Sequence, residues 1–359
     1  MKKVLIIAVC GISYEGITSV IRNYCSHMDR SRLQLEFLSP QSVAPALLEE
    51  FEKMGPVHCL PDRREALPRY LSALRQLLRE NRYDVVHIHG NSGTMIFEVL
   101  TARLCGVKKI LVHGHNTACD HPFVNRLLTP VMKLFASRCL SCSQGAGQWL
   151  YGKSPFTVLN NAIDGERFRF DPDLRQKYRR ELGLEGCRVL GHIGHFTDVK
   201  NHDFLIDVFN EARKQDPSLR LLLVSDGPNY DRIRSKVREL DLEDRVLFLG
   251  RRSDTAALYQ AMDLFLLPSL WEGLPLVMLE AQAAGLPLLV SDRITEDAVC
   301  TPHVVRKALE DGPVSWAQAL TFAPEQDRPA LSREGLEALE AHGFDIRREA
   351  RRLEEIYGE

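Results

Sequence analysis

Short apolar runs alternate with longer amphipathic stretches along the whole chain. The runs are rich in Val, Ile and Leu, which is typical of strands buried on both faces of a parallel sheet. The expected strands cover residues 3–9, 33–39, 84–90, 108–114, 139–143, 156–161, 188–194, 219–225, 245–250, 263–269 and 287–292. Between them the apolar spacing is helical, as in Leu71, Leu74, Leu77 and Leu78, which share one helix face. This β-α-β alternation predicts doubly wound α/β sheets.

The alternation occurs twice, and the break between the two sets falls near residues 162–187, which are polar. We expect residues 1–165 and 166–340 to form two Rossmann-like domains. Two such domains would place a central cleft between the carboxyl ends of their strands. The final segment, residues 341–359, predicts an amphipathic helix that could pack on either domain, including back on the first.

The composition is that of an ordinary globular protein. Of 359 residues, 45% are hydrophobic and 26% charged, which excludes a disordered chain, a collagen-like fibre and a small disulfide-stapled module. The nine cysteines are scattered and odd in number, which favours a reducing compartment. Cys139 and Cys142 form a C-x-x-C without a second pair, so we expect burial rather than zinc binding. No apolar run reaches the ~20 residues that a membrane helix needs.

The charge is distributed unevenly. Residues 1–165 carry 19 Lys and Arg against 13 Asp and Glu (net +6), and the remainder carries 27 against 35 (net −8). If this is not chance, it favours an anionic surface or substrate near the first half. No basic run with interleaved aromatics appears, which argues against nucleic acid. Residues 123–138 mix apolar residues with Arg126, Lys133 and Arg138, as membrane-interface helices and ordinary core-facing helices both do.

The most informative stretch is SLWEGLPLVMLEAQAAGLPLLVSD, residues 269–292. A predicted strand runs into a loop, and a helix starts near Pro275. Gly273 would let the backbone approach a ligand, and the helix N-terminus would offer free N–H groups to an anion. Glu280 follows Glu272 by eight residues, just over two helical turns, and so projects from nearly the same side as the first turn. Its apolar neighbours favour a ribose-binding carboxylate over an exposed helix residue.

This E-x7-E spacing resembles that of the retaining glycosyltransferases of family 4, which have the two-domain GT-B fold. The chain is similar to the branch that makes bacterial exopolysaccharides and capsules, and the resemblance covers almost its whole length. Its other motifs are Gly16-Ile17 after the first strand, His-x-His at 87–89, HGHNT at 113–117, GHIGHFTDVKNH at 191–202 and VSDGP at 224–228.

The resemblance implies a nucleotide-sugar donor, with a UDP-sugar expected, bound mainly by the second domain. Lys200 would neutralise the diphosphate together with His195, which stands where the family usually has Arg and would grip phosphate more weakly. Glu272 would bind hydroxyls of the donor sugar, and Glu280 the ribose. The remaining donor contacts would come from the backbone of Gly250, Arg251, Gly273, Leu274, Pro275 and Leu276. A solvated lysine and a tolerated loop histidine are the alternatives for Lys200 and His195.

From the first domain, the resemblance implies that Gly16 lets a loop close over the phosphates. Glu15 stands where the family usually has a second glycine. His115 matches the family histidine that faces the reacting sugar, so the expected catalytic set is His115, Lys200 and Glu272. His113 would share the face of His115 if the strand continued that far.

Other family positions are less clearly functional. His87 and His89 are expected to shape the cleft rather than to act in the chemistry, and a structural histidine is the alternative for His115. Ala162 and Ser225 replace two further glycines that the family usually has. The Asp-x-Asp at 171–173 follows the linker, where Asp173 lies near a helix start. We therefore expect no metal and no other cofactor.

The expected function is retaining transfer of a sugar from a nucleotide donor to a hydroxyl of a glycan or lipid-linked glycan, in cell-surface polysaccharide synthesis. The alternatives are a catalytically weak nucleotide-sugar-binding partner of another transferase, and a nucleotide-sugar epimerase. A dehydrogenase is disfavoured because no G-x-G-x-x-G follows the first strand. We expect a cytoplasmic protein with a peripheral contact to the anionic inner face of the cell membrane.

Overall fold

The computed structural model describes residues 1–14, 16–119 and 121–359. It divides the chain into two compact units. Unit 1 comprises Met1–Ala162 and Asp345–Glu359, and unit 2 comprises Ile163–Phe344. The chain passes from unit 1 to unit 2 after Ala162, slightly before the boundary expected at residue 165. It returns to unit 1 after Phe344, slightly after the boundary expected at residue 340. Among the described residues, no helix is both long enough and apolar enough to cross a bilayer.

The elements alternate between strands and helices in both units. In chain order they are β1 (Lys2–Ala8), α1 (Gly16–Ser26), β2 (Leu33–Ser39), α2 (Pro45–Glu52), β3 (Val57–Cys59), α3 (Leu67–Asn81), β4 (Val85–Gly90), α4 (Ile96–Leu104), β5 (Lys109–Gly114), α5 (Pro122–Phe135), β6 (Arg138–Ser141), α6 (Gln144–Tyr151), β7 (Thr157–Val158), α7 (Pro172–Glu181), β8 (Arg188–Ile193), α8 (His202–Ala212), β9 (Leu219–Val224), α9 (Tyr230–Glu239), β10 (Val246–Phe248), α10 (Thr255–Ala261), β11 (Leu264–Leu267), α11 (Leu276–Ala283), β12 (Leu288–Ser291), β13 (Val304–Lys307), α12 (Gly312–Gln318), α13 (Arg328–Ala341) and α14 (Ile346–Gly358). Short 3-10 turns cover Gly93–Met95, Gly165–Phe168, Asp198–Lys200, Glu296–Ala298, Leu309–Asp311 and Glu325–Asp327.

Unit 1 is built on a seven-stranded parallel sheet in the order β3-β2-β1-β4-β5-β6-β7. The central strand β1 is buried from Val4 to Ala8, because its Val, Leu and Ile side chains pack on both faces of the sheet. The strand order reverses between β1 and β4, where Ile6 pairs with His87. Ligands of doubly wound folds bind at the carboxyl ends of the strands beside such a reversal.

The last helix of the chain, α14, packs in unit 1 against α1. Its amphipathic sequence buries Ile346, Ala350, Leu353 and Tyr357 on one face. Polar contacts add to this packing. The Asn160 backbone N–H donates to the Glu349 carboxylate at 3.2 Å. The chain therefore leaves unit 1 and returns to it at its end.

Unit 2 is built on a six-stranded parallel sheet in the order β10-β9-β8-β11-β12-β13. Here the reversal falls between β8 and β11, which pair at Leu264 and Leu190. The two doubly wound parallel sheets confirm the expected fold class. All eleven expected strands are present, and the structure adds β3 and β13, which lie at sheet edges.

Candidate functional site

In unit 2, the loops that follow β8 and β11 lie side by side at the strand reversal. The Leu270 N–H donates to the Val199 carbonyl at 2.8 Å, and the Asn201 side-chain amide donates to the Pro268 carbonyl at 3.2 Å. Asn201 has a left-handed backbone (φ 55°), which turns the chain from the 3-10 turn ending at Lys200 into α8. These bonds hold Lys200 beside the loop that carries Glu272.

Lys200 and Glu272 form an ion pair in which the ammonium donates to Glu272 Oε1. The Ser269 hydroxyl also donates to that oxygen, at 3.0 Å. The two side chains are only 19% and 15% exposed, so water screens the pair less than it would a surface pair. Two of the predicted site residues are therefore in contact, and the sequence had not indicated this pairing.

The helix α11 begins directly after this loop. Pro275 occupies the N-cap position and offers no side chain to cap the helix, so the first backbone N–H groups have no cap from that residue. The predicted helix start near Pro275 is confirmed. Gly273, Leu274 and Leu276 surround this N-terminus, and Leu274 is buried. Lys200 lies on one of the two adjacent loops, and the other loop leads into the uncapped N-terminus of α11. A cation and free N–H groups of this kind favour binding of an anion.

Glu280 lies on the same helix among buried neighbours. Met278, Leu279 and Ala281 are fully buried, whereas Glu280 is half-buried. Its carboxylate accepts a hydrogen bond of 2.8 Å from the Tyr259 hydroxyl of α10. The expectation that Glu280 is not a simple exposed helix residue is consistent with this bond.

His195 and Arg251 converge on one carboxylate, that of Asp226. His195 Nδ1 lies 3.7 Å from Asp226 Oδ1, and Arg251 Nε donates to the same oxygen. Gly250, at the end of the neighbouring strand, has a positive φ of 62° and accepts a hydrogen bond from the Ser225 N–H at 2.8 Å. Asp226 therefore lies beside two predicted donor-binding residues, although the sequence pattern did not single out Asp226 itself.

The loop carrying Asp226 is bent tightly against the loop after β8. The Phe196 N–H donates to the Asp226 carbonyl at 2.8 Å. A Cβ on Gly227 would lie 2.7 Å from the Phe196 nitrogen, so only glycine fits there. Ser225, where the family usually has glycine, holds a φ of 117° that L-residues rarely adopt.

In unit 1, four histidines gather at the carboxyl ends of β4 and β5. His89 pairs directly with His113 in the sheet register, and His87 precedes His89 on the same face. His115 follows β5, and its ring centroid lies 4.1 Å from that of His113. The expectation that His113 and His115 share a face is confirmed. All four rings are buried.

The histidines are held by specific hydrogen bonds. His89 Nδ1 lies 2.9 Å from His115 Nε2, and His87 Nδ1 lies 2.7 Å from the Tyr357 hydroxyl of α14. Burial lowers the pKa of His87 to about 3 and that of His115 to about 4. Burial likewise lowers the pKa values of His89 and His113 well below the usual range. The four imidazoles are therefore neutral at pH 7, and His115 can donate or accept a hydrogen bond without carrying charge.

The other predicted positions of unit 1 have simpler surroundings. Gly16 is the first residue of α1, and a Cβ there would meet no atom within 4 Å. Glu15 lies outside the described residues. Ala162 is buried without a positive φ, and its carbonyl accepts a hydrogen bond from the Asn23 side chain at 3.1 Å. Alanine thus fits there without strain. Cys139 and Cys142 are buried, as expected, and neither belongs to a disulfide.

The helix α5 carries its apolar residues outward. Its buried residues are Asn125, Thr129 and Met132, and Asn125 Oδ1 accepts a hydrogen bond from the Gly93 N–H at 2.7 Å. The opposite side, which we call the exposed α5 face, consists of Phe123, Leu127, Val131 and Leu134, which are 80%, 65%, 43% and 77% exposed. An ordinary core-facing helix, the alternative for residues 123–138, would bury these apolar side chains, whereas α5 exposes them.

Both halves of the chain match glycosyltransferase families. The family described as "Glycosyltransferase Family 4" matches residues 14–167, and the one described as "Glycosyl transferases group 1" matches residues 175–320. The "Putative glycosyltransferase EpsF" of Bacillus subtilis (strain 168) is 31% identical over 364 residues, which cover 97% of this chain and 94% of that protein.

Further similarities follow the same pattern. The Escherichia coli "UDP-Gal:alpha-D-GlcNAc-diphosphoundecaprenol alpha-1,3-galactosyltransferase" is 31% identical over 240 residues, covering 62% of this chain and 61% of that protein. The crystal structure of Anabaena HepE in complex with UDP and glucose superposes with a TM-score of 0.80 over 100% of both chains, at 19% identity. The chain therefore belongs to the glycosyltransferases of the group 1 and family 4 type, and it has the GT-B fold.

Proposed function

We propose that this enzyme transfers a sugar from a UDP-sugar to a hydroxyl of a lipid-linked glycan, with retention of anomeric configuration, in the synthesis of a cell-surface polysaccharide. The choice of UDP is supported by the Escherichia coli relative, whose name specifies UDP-Gal, and by HepE, which was crystallised with UDP and glucose. The acceptor class is supported by the diphosphoundecaprenol in the name of the same relative.

The observation that carries the proposal is the ion pair of Lys200 with Glu272, in the loop that leads into the uncapped N-terminus of α11. A leaving nucleoside diphosphate accumulates negative charge as the sugar departs, and preorganised cations and N–H groups stabilise that charge. Lys200 would exchange part of its contact with Glu272 for the diphosphate, and the N–H groups of the first turn would bind the same anion. His195 would add a further hydrogen-bond donor.

The remaining roles follow from the positions of the polar groups. Glu272, partly released by Lys200, would accept hydrogen bonds from hydroxyls of the donor sugar. Glu280 would accept them from the ribose, while the strand end at Gly250 and Arg251 would meet the base. His115 would bind a sugar hydroxyl as a neutral imidazole, because burial suppresses its protonation. Retention is proposed from the resemblance of the E-x7-E segment.

We further propose that the acceptor is met at the inner face of the cytoplasmic membrane through the exposed α5 face. A helix that directs Phe123, Leu127 and Leu134 to solvent gains free energy when those side chains enter a lipid interface. Arg126 is exposed on the same helix, and the first half of the chain carries net +6, which complements anionic lipid.

The proposal is tested with a panel of UDP-, GDP- and ADP-sugars and an undecaprenyl-diphosphate-linked monosaccharide as acceptor. We expect UDP release that depends on acceptor, slow UDP release without it, and an α-linked product from an α-linked donor by NMR. A β-linked product from that donor would contradict retention. Tight donor binding without any UDP release would favour a binding partner, and an altered sugar still attached to its nucleotide would favour an epimerase.

A further inference from the structure

We propose that His87, His89 and His113 form a binding site for one divalent transition-metal ion of the Zn²⁺ class in unit 1. The site is separate from the donor chemistry proposed for unit 2. It rests on the arrangement of the imidazoles in unit 1 alone, and so it goes beyond the transferase function.

The sheet register brings the three rings together. His89 and His113 are direct partners across β4 and β5, and His87 lies on the same face two residues before His89. Each ring offers one nitrogen, and these three nitrogens all lie within 4.8 Å of one another. Zn–N bonds are ~2.0–2.1 Å long, so a small inward rotation of the rings would let all three nitrogens bind one ion.

The hydrogen bonds around the cluster leave ligand atoms available. His87 uses Nδ1 toward the Tyr357 hydroxyl and His89 uses Nδ1 toward His115, as metal-bound histidines usually bind an outer partner with their second nitrogen. His87 Nε2 has no hydrogen-bond partner. The ring nitrogens of His113 likewise have no hydrogen-bond partner of standard geometry, and the backbone of Leu159 lies near that ring.

Unpartnered buried nitrogens are unfavourable, and a bound ion would remove this cost. The three side chains are almost fully buried, with exposures of 0%, 4% and 1%.

The type of ligand selects the type of metal. Imidazole nitrogen is a suitable ligand for Zn²⁺, Cu²⁺, Ni²⁺ and Fe²⁺, whereas Mg²⁺ and Mn²⁺ prefer oxygen ligands. The three histidines of this cluster offer only nitrogen. Three protein ligands leave a fourth tetrahedral position for water or an anion. An ion on His89 Nε2 would also fix the Nδ1–H tautomer toward His115 Nε2 and so orient His115.

The first experiment uses full-length protein without a histidine tag, stripped with chelator and dialysed. We expect ~1 equivalent of Zn²⁺ to be retained after gel filtration, no retention of Mg²⁺, and X-ray absorption that shows three imidazole nitrogens at ~2.0–2.1 Å. Folded protein that retains less than about a tenth of an equivalent would overturn the proposal, as would a zinc shell without three imidazoles.

Variants localise the site. His113→Gln is expected to weaken Zn²⁺ binding ~100-fold or more, and Tyr357→Phe ~10-fold, because outer partners orient their ligands. His202→Gln is the matched control, since His202 is equally buried but lies in unit 2. Circular dichroism checks that each variant is folded. Equal affinity in folded His113→Gln and wild-type protein would also overturn the proposal. None of these measurements depends on transferase activity.

Discussion

Lys200 is the residue on which the proposed chemistry depends most directly. Replacing it with Ala removes the charge beside α11 and leaves the half-buried Glu272 carboxylate without its cation. We expect Lys200→Ala to lower kcat by ~100- to 1,000-fold, the range seen when one preorganised charge-stabilising group is removed. Steady-state UDP release measures this. Lys214→Ala is the control, because Lys214 forms an exposed pair with Glu211. A rate within a factor of two of wild type would contradict the role given to Lys200.

Glu280 supports a second prediction, on binding rather than rate. Glu280→Gln keeps the shape of the side chain but removes its charge, so the hydrogen bonds to the ribose weaken. We expect donor affinity to fall by about 1.5–3 kcal/mol, or roughly 10- to 100-fold. Calorimetric titration with UDP checks this. The control is Tyr259→Phe, which removes the hydroxyl that binds Glu280 but keeps the carboxylate, and should have a smaller effect. Equal affinities of Glu280→Gln and wild type would make Glu280 a structural residue.

Ser225 gives a prediction about stability. Its φ of 117° is a conformation that glycine adopts without strain, and strained backbone of this kind costs about 1–3 kcal/mol. Glycine also gains freedom in the unfolded chain, which offsets part of that relief. We expect Ser225→Gly to raise the free energy of unfolding by about 1 kcal/mol in urea titrations. Ala308→Gly, at an ordinary φ of −66°, should instead lower it. A loss of stability in Ser225→Gly would show that the serine side chain compensates for its backbone.

The sequence indicated individual site residues better than it indicated which other residues contact them. Glu272 and Glu280 could be chosen from their spacing and Lys200 from the family resemblance, but their contacts depend on which loops meet at the sheet reversal. Tyr259 and Asp226 come from distant elements, and no local pattern indicates that they contact Glu280, His195 or Arg251. The histidines of β4 and β5 were visible as two short motifs. Their assembly into one cluster follows only once β4 and β5 are known to be neighbours.

At the level of elements, the apolar runs predicted the interior strands well and the edge strands poorly. Interior strands are buried on both faces, so their sequences are continuously apolar. The edge strands β3 and β13 are short and partly exposed, and their sequences, VHC and VVRK, lack a long apolar run. The strand expected at 156–161 shortens to Thr157–Val158, after which Asn160 bonds to α14 and Ala162 to α1 instead.

The helix α5 has the apolar spacing of an amphipathic helix, but it buries its polar side and exposes its apolar side. Its polar residues Asn125 and Thr129 are buried, so its apolar residues Phe123 and Leu127 are left on the surface. Periodicity alone predicts a helix with two faces but not which face is buried. Neighbouring elements decide that, here through the hydrogen bond from the Gly93 N–H to Asn125.

This orientation leads to a prediction about membrane binding. We expect wild-type protein to float with anionic liposomes at low salt and to dissociate in part as salt screens the charges. The double variant Phe123→Ser, Leu127→Ser should lower the bound fraction several-fold. Val314→Ser, which changes another exposed apolar residue, in unit 2, is the control. Protein that stays unbound at low salt, or a double variant that binds as well as wild type, would contradict a membrane role for α5.

At the scale of the whole molecule, the doubling of the β-α-β pattern was sufficient to predict two doubly wound units. The destination of the C-terminal helix was not predictable, because an amphipathic helix of this composition can cover either sheet. Its assignment to unit 1 depends on side chains far apart in sequence, such as Glu349 binding the backbone at Asn160. Unit 1 thus contains both ends of the chain.

The last prediction concerns how the whole chain neutralises a leaving diphosphate. Enzymes that use Mg²⁺ or Mn²⁺ for this place carboxylates together beside the phosphates. Across residues 1–14, 16–119 and 121–359, the group of at least three candidate ligands found within reach of one ion is the histidine cluster, which contains no carboxylate. Of the Asp-x-Asp pair, Asp171 caps α7 by accepting the N–H groups of Asp173 and Leu174 at 2.9 and 3.1 Å.

We therefore expect excess EDTA to leave the rate of UDP release within about a factor of two of the untreated enzyme, since Lys200 and the N-terminus of α11 would carry the charge stabilisation instead. The assay is run after long incubation with EDTA, then repeated with Mg²⁺, Mn²⁺ or Zn²⁺ added back. A rate abolished by EDTA and restored by Mg²⁺ or Mn²⁺ would overturn the metal-independent mechanism and direct attention to Asp171 and Asp173. Restoration by Zn²⁺ alone would also contradict the expected insensitivity to EDTA, but it would point to an ion at the histidine cluster rather than at the diphosphate.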